Sequence, residues 1–131
     1  TFMRALNFQN KYPIFTADIE KSGCIYADLP ALTAYFKNCI RQEPKVQYLG
    51  EFDHLAHTRA IGGDVNPAIA GAINLVFCFG LALPDPKVLA VRPRSIGIVD
   101  MGTHYTISFM EAPMAPANEA MKRWVQVLQK T

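Results

Sequence analysis

The reactive side chains of this chain are densest over Phe52-Asp53-His54-Leu55-Ala56-His57-Thr58-Arg59, and three kinds of chemistry compete for them. Two imidazoles beside a carboxylate could bind a transition metal through neutral ring nitrogens. A single imidazole, titrating near neutral pH, could act as general acid or base. Alternatively, His54 could face a pocket and hydrogen-bond a small ligand. Read as part of a strand, the segment sends His54 and His57 to opposite faces and turns Asp53 away from His54. That geometry opposes a shared metal and a carboxylate-oriented histidine alike, so neither a metal nor a cofactor is expected. No nucleophile stands out: Cys78 lies in the most apolar stretch, where a thiolate is disfavoured.

The ligand-binding reading draws in residues further along. His54 shares strand parity with Phe52 and Ala56, which places it beside apolar wall material. Arg92 and Arg94 follow a buried strand and carry guanidinium groups suited to a carboxylate or phosphate. Gly80, after Phe79, either lets a ligand approach the backbone or simply begins the turn toward Pro84. Asp53, His54, Gly80, Arg92 and Arg94 are therefore the expected binding residues for a small, anionic ligand. The plainer alternatives are a histidine bonded to core backbone and arginines paired with surface carboxylates. A phosphate loop is excluded, because Gly62-Gly63 is not followed by Lys-Ser/Thr and no G-x-G-x-x-G occurs. Lys122, Arg123 and Lys130 read as a solvated helix face. Basic and aromatic residues are not interleaved, so no nucleic-acid partner is expected.

Positioning these side chains falls to a recognisable series of elements. Residues 13–20 alternate with period two, as a half-buried strand does. Asp28 is a good helix N-cap, Pro30 fits the first turn, and Leu29, Leu32, Tyr35, Phe36, Cys39 and Ile40 form one apolar stripe. Residues 46–60 read as one long strand with a bulge or close approach at Gly50. A buried strand follows over 73–79, then a short helix over 87–91 with Asp85 as cap. Residues 95–99 and 103–110 form a hairpin about Asp100-Met101-Gly102. After a Pro-rich connector comes a last helix over 117–129, its stripe Ala117, Met121, Trp124, Val125 and Leu128. The order β-α-β-β-β-β-α argues an α+β domain, residues 1–131, with two principal helices on a mainly antiparallel sheet.

Composition narrows the function classes. The chain has 131 residues, half of them hydrophobic, with 13 basic and 11 acidic side chains and a net charge of +2. Disorder needs the opposite balance, and bulk electrostatic binding of nucleic acid needs far more positive charge. Residues 68–83 carry no charge, but the run falls short of the ~20 apolar residues of a membrane span and is interrupted by Gly71 and Gly80. No membrane contact is expected. Cys24, Cys39 and Cys78 are odd in number and widely spaced, which reads as buried reduced thiols. Thr1-Phe2-Met3-Arg4 lacks the apolar run of a signal peptide, so the expected location is cytoplasmic. So few charges cannot cover the surface of one copy, and a self-association patch is expected.

Four blocks carry a resemblance: Phe52-Asp53-His54-Leu55-Ala56-His57-Thr58, Phe77-Cys78-Phe79-Gly80, Val91-Arg92-Pro93-Arg94-Ser95-Ile96-Gly97, and Glu111-Ala112-Pro113-Met114-Ala115-Pro116-Ala117-Asn118-Glu119-Ala120-Met121. In that order they resemble a small family of uncharacterised bacterial proteins, a domain of unknown function, over nearly the whole chain. More distantly, the chain is similar to a widespread superfamily of unknown function with a β-α-β(4)-α fold. That resemblance implies the same element order and a homodimer. Where a tight Gly-x-Pro turn belongs to that pattern, Leu81-Ala82-Leu83 intervenes before Pro84. The expectation is a homodimeric binder of a small ligand. Its alternatives are a metal- or His-dependent enzyme and a structural or interaction module.

Overall fold

The computed structural model describes residues 3–80 and 82–130. Thr1 and Phe2, read above for a leader, and Leu81, read above as part of the insertion after Gly80, lie outside the described residues. The strands are β1 (Arg4–Phe8), β2 (Tyr12–Glu20), β3 (Gln47–Asp53), β4 (Gly71–Cys78), β5 (Arg94–Asp100) and β6 (His104–Met110), and the helices are α1 (Leu29–Gln42), α2 (His54–Ala60) and α3 (Ala115–Gln126). All pairings are antiparallel, in the spatial order β1-β2-β6-β5-β4-β3. The fold is α+β, and the expected order of strands and principal helices is present within it.

The core lies between one face of the sheet and helices α1 and α3. Phe15, Ala17 and Ile19 of β2 alternate inward and meet Phe109, Ile107 and Tyr105 of β6 in register. Leu75 and Phe77 of β4 continue that face beside Ile96 and Ile98 of β5. Leu32, Phe36 and Ile40 of α1 and Met121, Trp124 and Val125 of α3 close it from above, as their helical spacing requires. Asp28 caps α1 by accepting from the Ala31 N–H at 2.8 Å, and the Tyr35 hydroxyl ties α1 to the Trp124 carbonyl of α3. Half of the uncharged run over 68–83 is β4, which is covered by helices on one face and flanked by strands on both edges. No helix among the described residues is long and apolar enough to cross a membrane.

Three local features depart from the sequence reading. β1 pairs with β2 through a three-residue loop in which Gln9 and Asn10 both take positive φ, at 55° and 59°. No glycine marks that turn, so the pattern gave no sign of it. The expected strand over 46–60 is the second departure, and it ends at Asp53. The carboxylate of Asp53 accepts from the Ala56 N–H at 3.0 Å, and the helix formers after it wind into α2 instead of extending. The third is parity within β3. Tyr48 pairs with Phe77 on the helix-covered face, yet after the bulge Gly50 pairs with Val76 and Phe52 with Asn74 on the open face. Gly50 has φ +156° at this bulge, a conformation that side-chain-bearing residues rarely adopt. The one extra residue reverses the facing of everything after it.

Candidate functional site

At the Phe77 end of β4 the main chain leaves the sheet, and there a cavity of about 290 Å³ opens. Its walls are apolar and come from separate parts of the chain. Phe79 follows β4 and stacks on Trp124 of α3, ring centroids 6.3 Å apart. Val88 and Val91 come from a 3₁₀ turn, Pro86–Ala90, and the segment after it. That turn is fixed by Asp85, whose carboxylate accepts from the Lys87 N–H at 2.8 Å and pairs with the Lys87 ammonium at 3.0 Å. These bonds hold the Asp85 carboxyl below its ordinary pKa. Ala112, Pro113, Met114 and Ala117 supply the opposite wall, where the connector enters α3.

Two guanidinium groups line this apolar space. Arg94 opens β5 opposite Phe77, which places it on the helix-covered face. Its Nη1 donates to the Val91 carbonyl at 3.2 Å and its Nη2 to the Met110 carbonyl. Burial lowers its pKa from the ordinary arginine value, a sign of partly desolvated charge. Arg92 donates through Nη1 to the Ala82 carbonyl at 2.6 Å. Neither arginine forms an ion pair among the described residues; their polar partners are main-chain oxygens. The plainer alternative, pairing with surface carboxylates, is not found among the described residues; carbonyl clamps leave each cation unneutralised.

Gly80 belongs to the same place. A Cβ built on it would stand 3.1 Å from Arg92 Nη1 and 3.1 Å from Cys78 Sγ. The missing side chain is what lets the guanidinium lie against the backbone here, so the close approach is made by Arg92 itself. The Gly80 N–H also donates to Cys78 Sγ at 3.3 Å.

The other two expected site residues lie elsewhere. Asp53 pairs with Ile73, whereas Arg94 pairs with Phe77, four residues further along β4. At roughly 3.3 Å per residue that is about 13 Å, with two strand spacings of about 4.8 Å added across the sheet. The structure thus brings Gly80, Arg92 and Arg94 together and leaves Asp53 and His54 at the opposite end of the sheet. Asp53 serves α2 as its cap. His54 and His57 lie one helical turn apart, with ring centroids 6.1 Å apart, and the Phe52 ring packs against both at 5.4 and 5.2 Å. His54 Nδ1 is 3.1 Å from Thr58 Oγ1. No group of three or more metal-ligating side chains occurs among the described residues.

The residues that hold the cavity's far wall are not among the expected site residues. Asn118, buried on α3, accepts from the Ala112 N–H at 2.8 Å and donates to the Ala112 carbonyl at 3.0 Å. An asparagine inside a helix looks like a solvated residue in a pattern, and only the path of the connector shows otherwise. The proline spacing of Pro113 and Pro116 was the available signal for a rigid wall. No curated protein and no solved structure matches this chain. The family model for a family of unknown function, DUF6858, matches residues 3–130, nearly the whole length. The protein belongs to that family.

Proposed function

We propose that this protein is a homodimeric, one-domain binding protein for a small molecule with an apolar body and one anionic group. The observation that carries the reading is the pair of guanidinium groups, Arg92 and Arg94, on the wall of an apolar cavity with only main-chain carbonyls as partners. A concave, mostly apolar space with a few convergent polar groups is what small-ligand sites require. A carboxylate entering it would exchange water for charge-assisted hydrogen bonds from arginines already held in place. Gly80, Arg92 and Arg94 form the site, with Phe79 as its aromatic wall. The free thiols of Cys24, Cys39 and Cys78 suit a reducing compartment, which supports a cytoplasmic location. The homodimer implied by the resemblance read from the sequence, together with exposed Leu6, Phe8 and Met110 on the uncovered sheet face, supports the dimer.

A matched ligand series tests the site. Medium-chain n-alkyl carboxylates and the corresponding uncharged alcohols are titrated calorimetrically into the protein. The carboxylate should bind about tenfold or more tightly than its alcohol, the ratio expected for one charge-assisted contact. Arg94→Ala should abolish that preference while leaving alcohol binding in place. Equal binding of acid and alcohol by the unmodified protein would refute an anion-selective site.

A further inference from the structure

We propose that His54 and His57 form a surface chelate for a borderline divalent cation of the Zn²⁺, Ni²⁺ or Cu²⁺ class. The objection raised by the sequence was that a strand would point the two imidazoles apart, and α2 removes it. On a helix, residues three apart are neighbours on one face. Their ring centroids are 6.1 Å apart, and two imidazoles on one tetrahedral metal at ~2.0–2.1 Å metal–nitrogen distances have centroids about 5 Å apart, so a shift of about 1 Å between two exposed side chains brings them onto one ion.

Three further contacts prepare the pair. His54 Nδ1 is held by Thr58 Oγ1 at 3.1 Å, which leaves Nε2 free to coordinate. Metal-binding histidines usually have their second ring nitrogen fixed in this way, and the bond sets ring orientation and basicity. The Phe52 ring abuts both imidazoles and limits their rotamers. Leu55, buried beneath, anchors α2 to the body of the protein. The ring of His57 makes no hydrogen bond among the described residues, so it gives up none on coordination. Both histidines are exposed, and water would complete the coordination sphere. Imidazole nitrogen selects borderline cations over Mg²⁺ and Ca²⁺, which prefer oxygen. The site lies at the opposite end of the sheet from the arginine cavity and does not depend on it.

Untagged protein, stripped with chelator and dialysed, is titrated calorimetrically with ZnCl₂ alone and, separately, with MgCl₂. The expected result is one Zn²⁺ per chain at micromolar affinity and no Mg²⁺ uptake. His57→Ala and His54→Ala should each weaken Zn²⁺ binding about tenfold or more, and Thr58→Val should weaken it less. His104→Ala, on β6, should leave it unchanged. Circular dichroism and the thermal midpoint show that each variant is folded. Absence of Zn²⁺ binding, or binding that persists unweakened in folded His54→Ala and His57→Ala, would overturn the proposal.

Discussion

Asn118 shows how one side chain can shape a site it does not enter. Its amide pairs with both main-chain groups of Ala112, itself only 6% exposed, and so pins the connector that forms one cavity wall. Asn118→Ala would leave a buried N–H and a buried carbonyl unpaired. Each such group costs roughly 1–3 kcal/mol, so a loss of about 2–6 kcal/mol in denaturant-measured stability is expected. Because Ala112 is continuous with Pro113 and Met114 in the cavity wall, carboxylate affinity should fall in the same variant. A variant that loses stability but binds carboxylate unchanged would mean that the wall does not depend on this amide. Arg92 and Gly80 make the complementary point. The glycine's role there is steric, since the Arg92 guanidinium fills the space a side chain would take.

α2 is seven residues long and lacks the length to be stable alone, so its formation depends on its ends and its anchor. Asp53 supplies the first and Leu55 the second. Asp53→Ala should cost about 1 kcal/mol, the usual price of a lost N-cap, whereas Asp53→Asn should retain most of it. Thermal unfolding of the two variants separates these outcomes. A cap role further predicts that Asp53→Ala weakens Zn²⁺ binding by loosening the turn that aligns His54 with His57, and that Asp53→Asn does not. Equal behaviour of the two variants would show that charge, not capping, is what the position contributes. The β5–β6 hairpin is secured similarly. Burial alone would raise the pKa of Asp100, but its bonds to the Lys21 ammonium and the Gly102 N–H, each 2.8 Å, together hold it below the carboxylate norm.

Across the whole molecule, the two longer helices take one face of the sheet and leave most of the other uncovered. Leu6 and Phe8 of β1 and Met110 of β6 are 40%, 49% and 45% exposed there, around a centre of Thr16, Asn74, Ser95, Gly97 and Ser108. Hydroxyl and amide groups both donate and accept, so such a surface can meet its own copy across a two-fold axis without like-charge repulsion. The proposed dimer is expected to use this face. Sedimentation or light scattering should give twice the 14.6 kDa chain mass, and Ser95→Arg should shift the protein toward monomer while circular dichroism shows that it is still folded. A folded Ser95→Arg variant that stays dimeric would place the interface elsewhere, and a monomeric unmodified protein would remove the dimer altogether.

By itself the sequence determined what local periodicity and caps control. The stripe of α1, its Asp28 cap, the Asp85 turn, the β5–β6 hairpin and the α+β class all follow from patterns a few residues long. Its account of the site was divided. Arg92, Arg94 and Gly80 were legible as a group because they follow one buried strand. His54 was joined to them only by a parity that the extra residue at Gly50 reverses and that α2 then ends. Tertiary structure alone decided the rest. Antiparallel register carries Asp53 and Arg94 to opposite ends of β4, and the return of the connector lets Asn118 build a wall against residues far away in sequence. Short-range patterns report which way a side chain points. Which side chains meet depends on register and chain path, and those are set by the packing of the whole core.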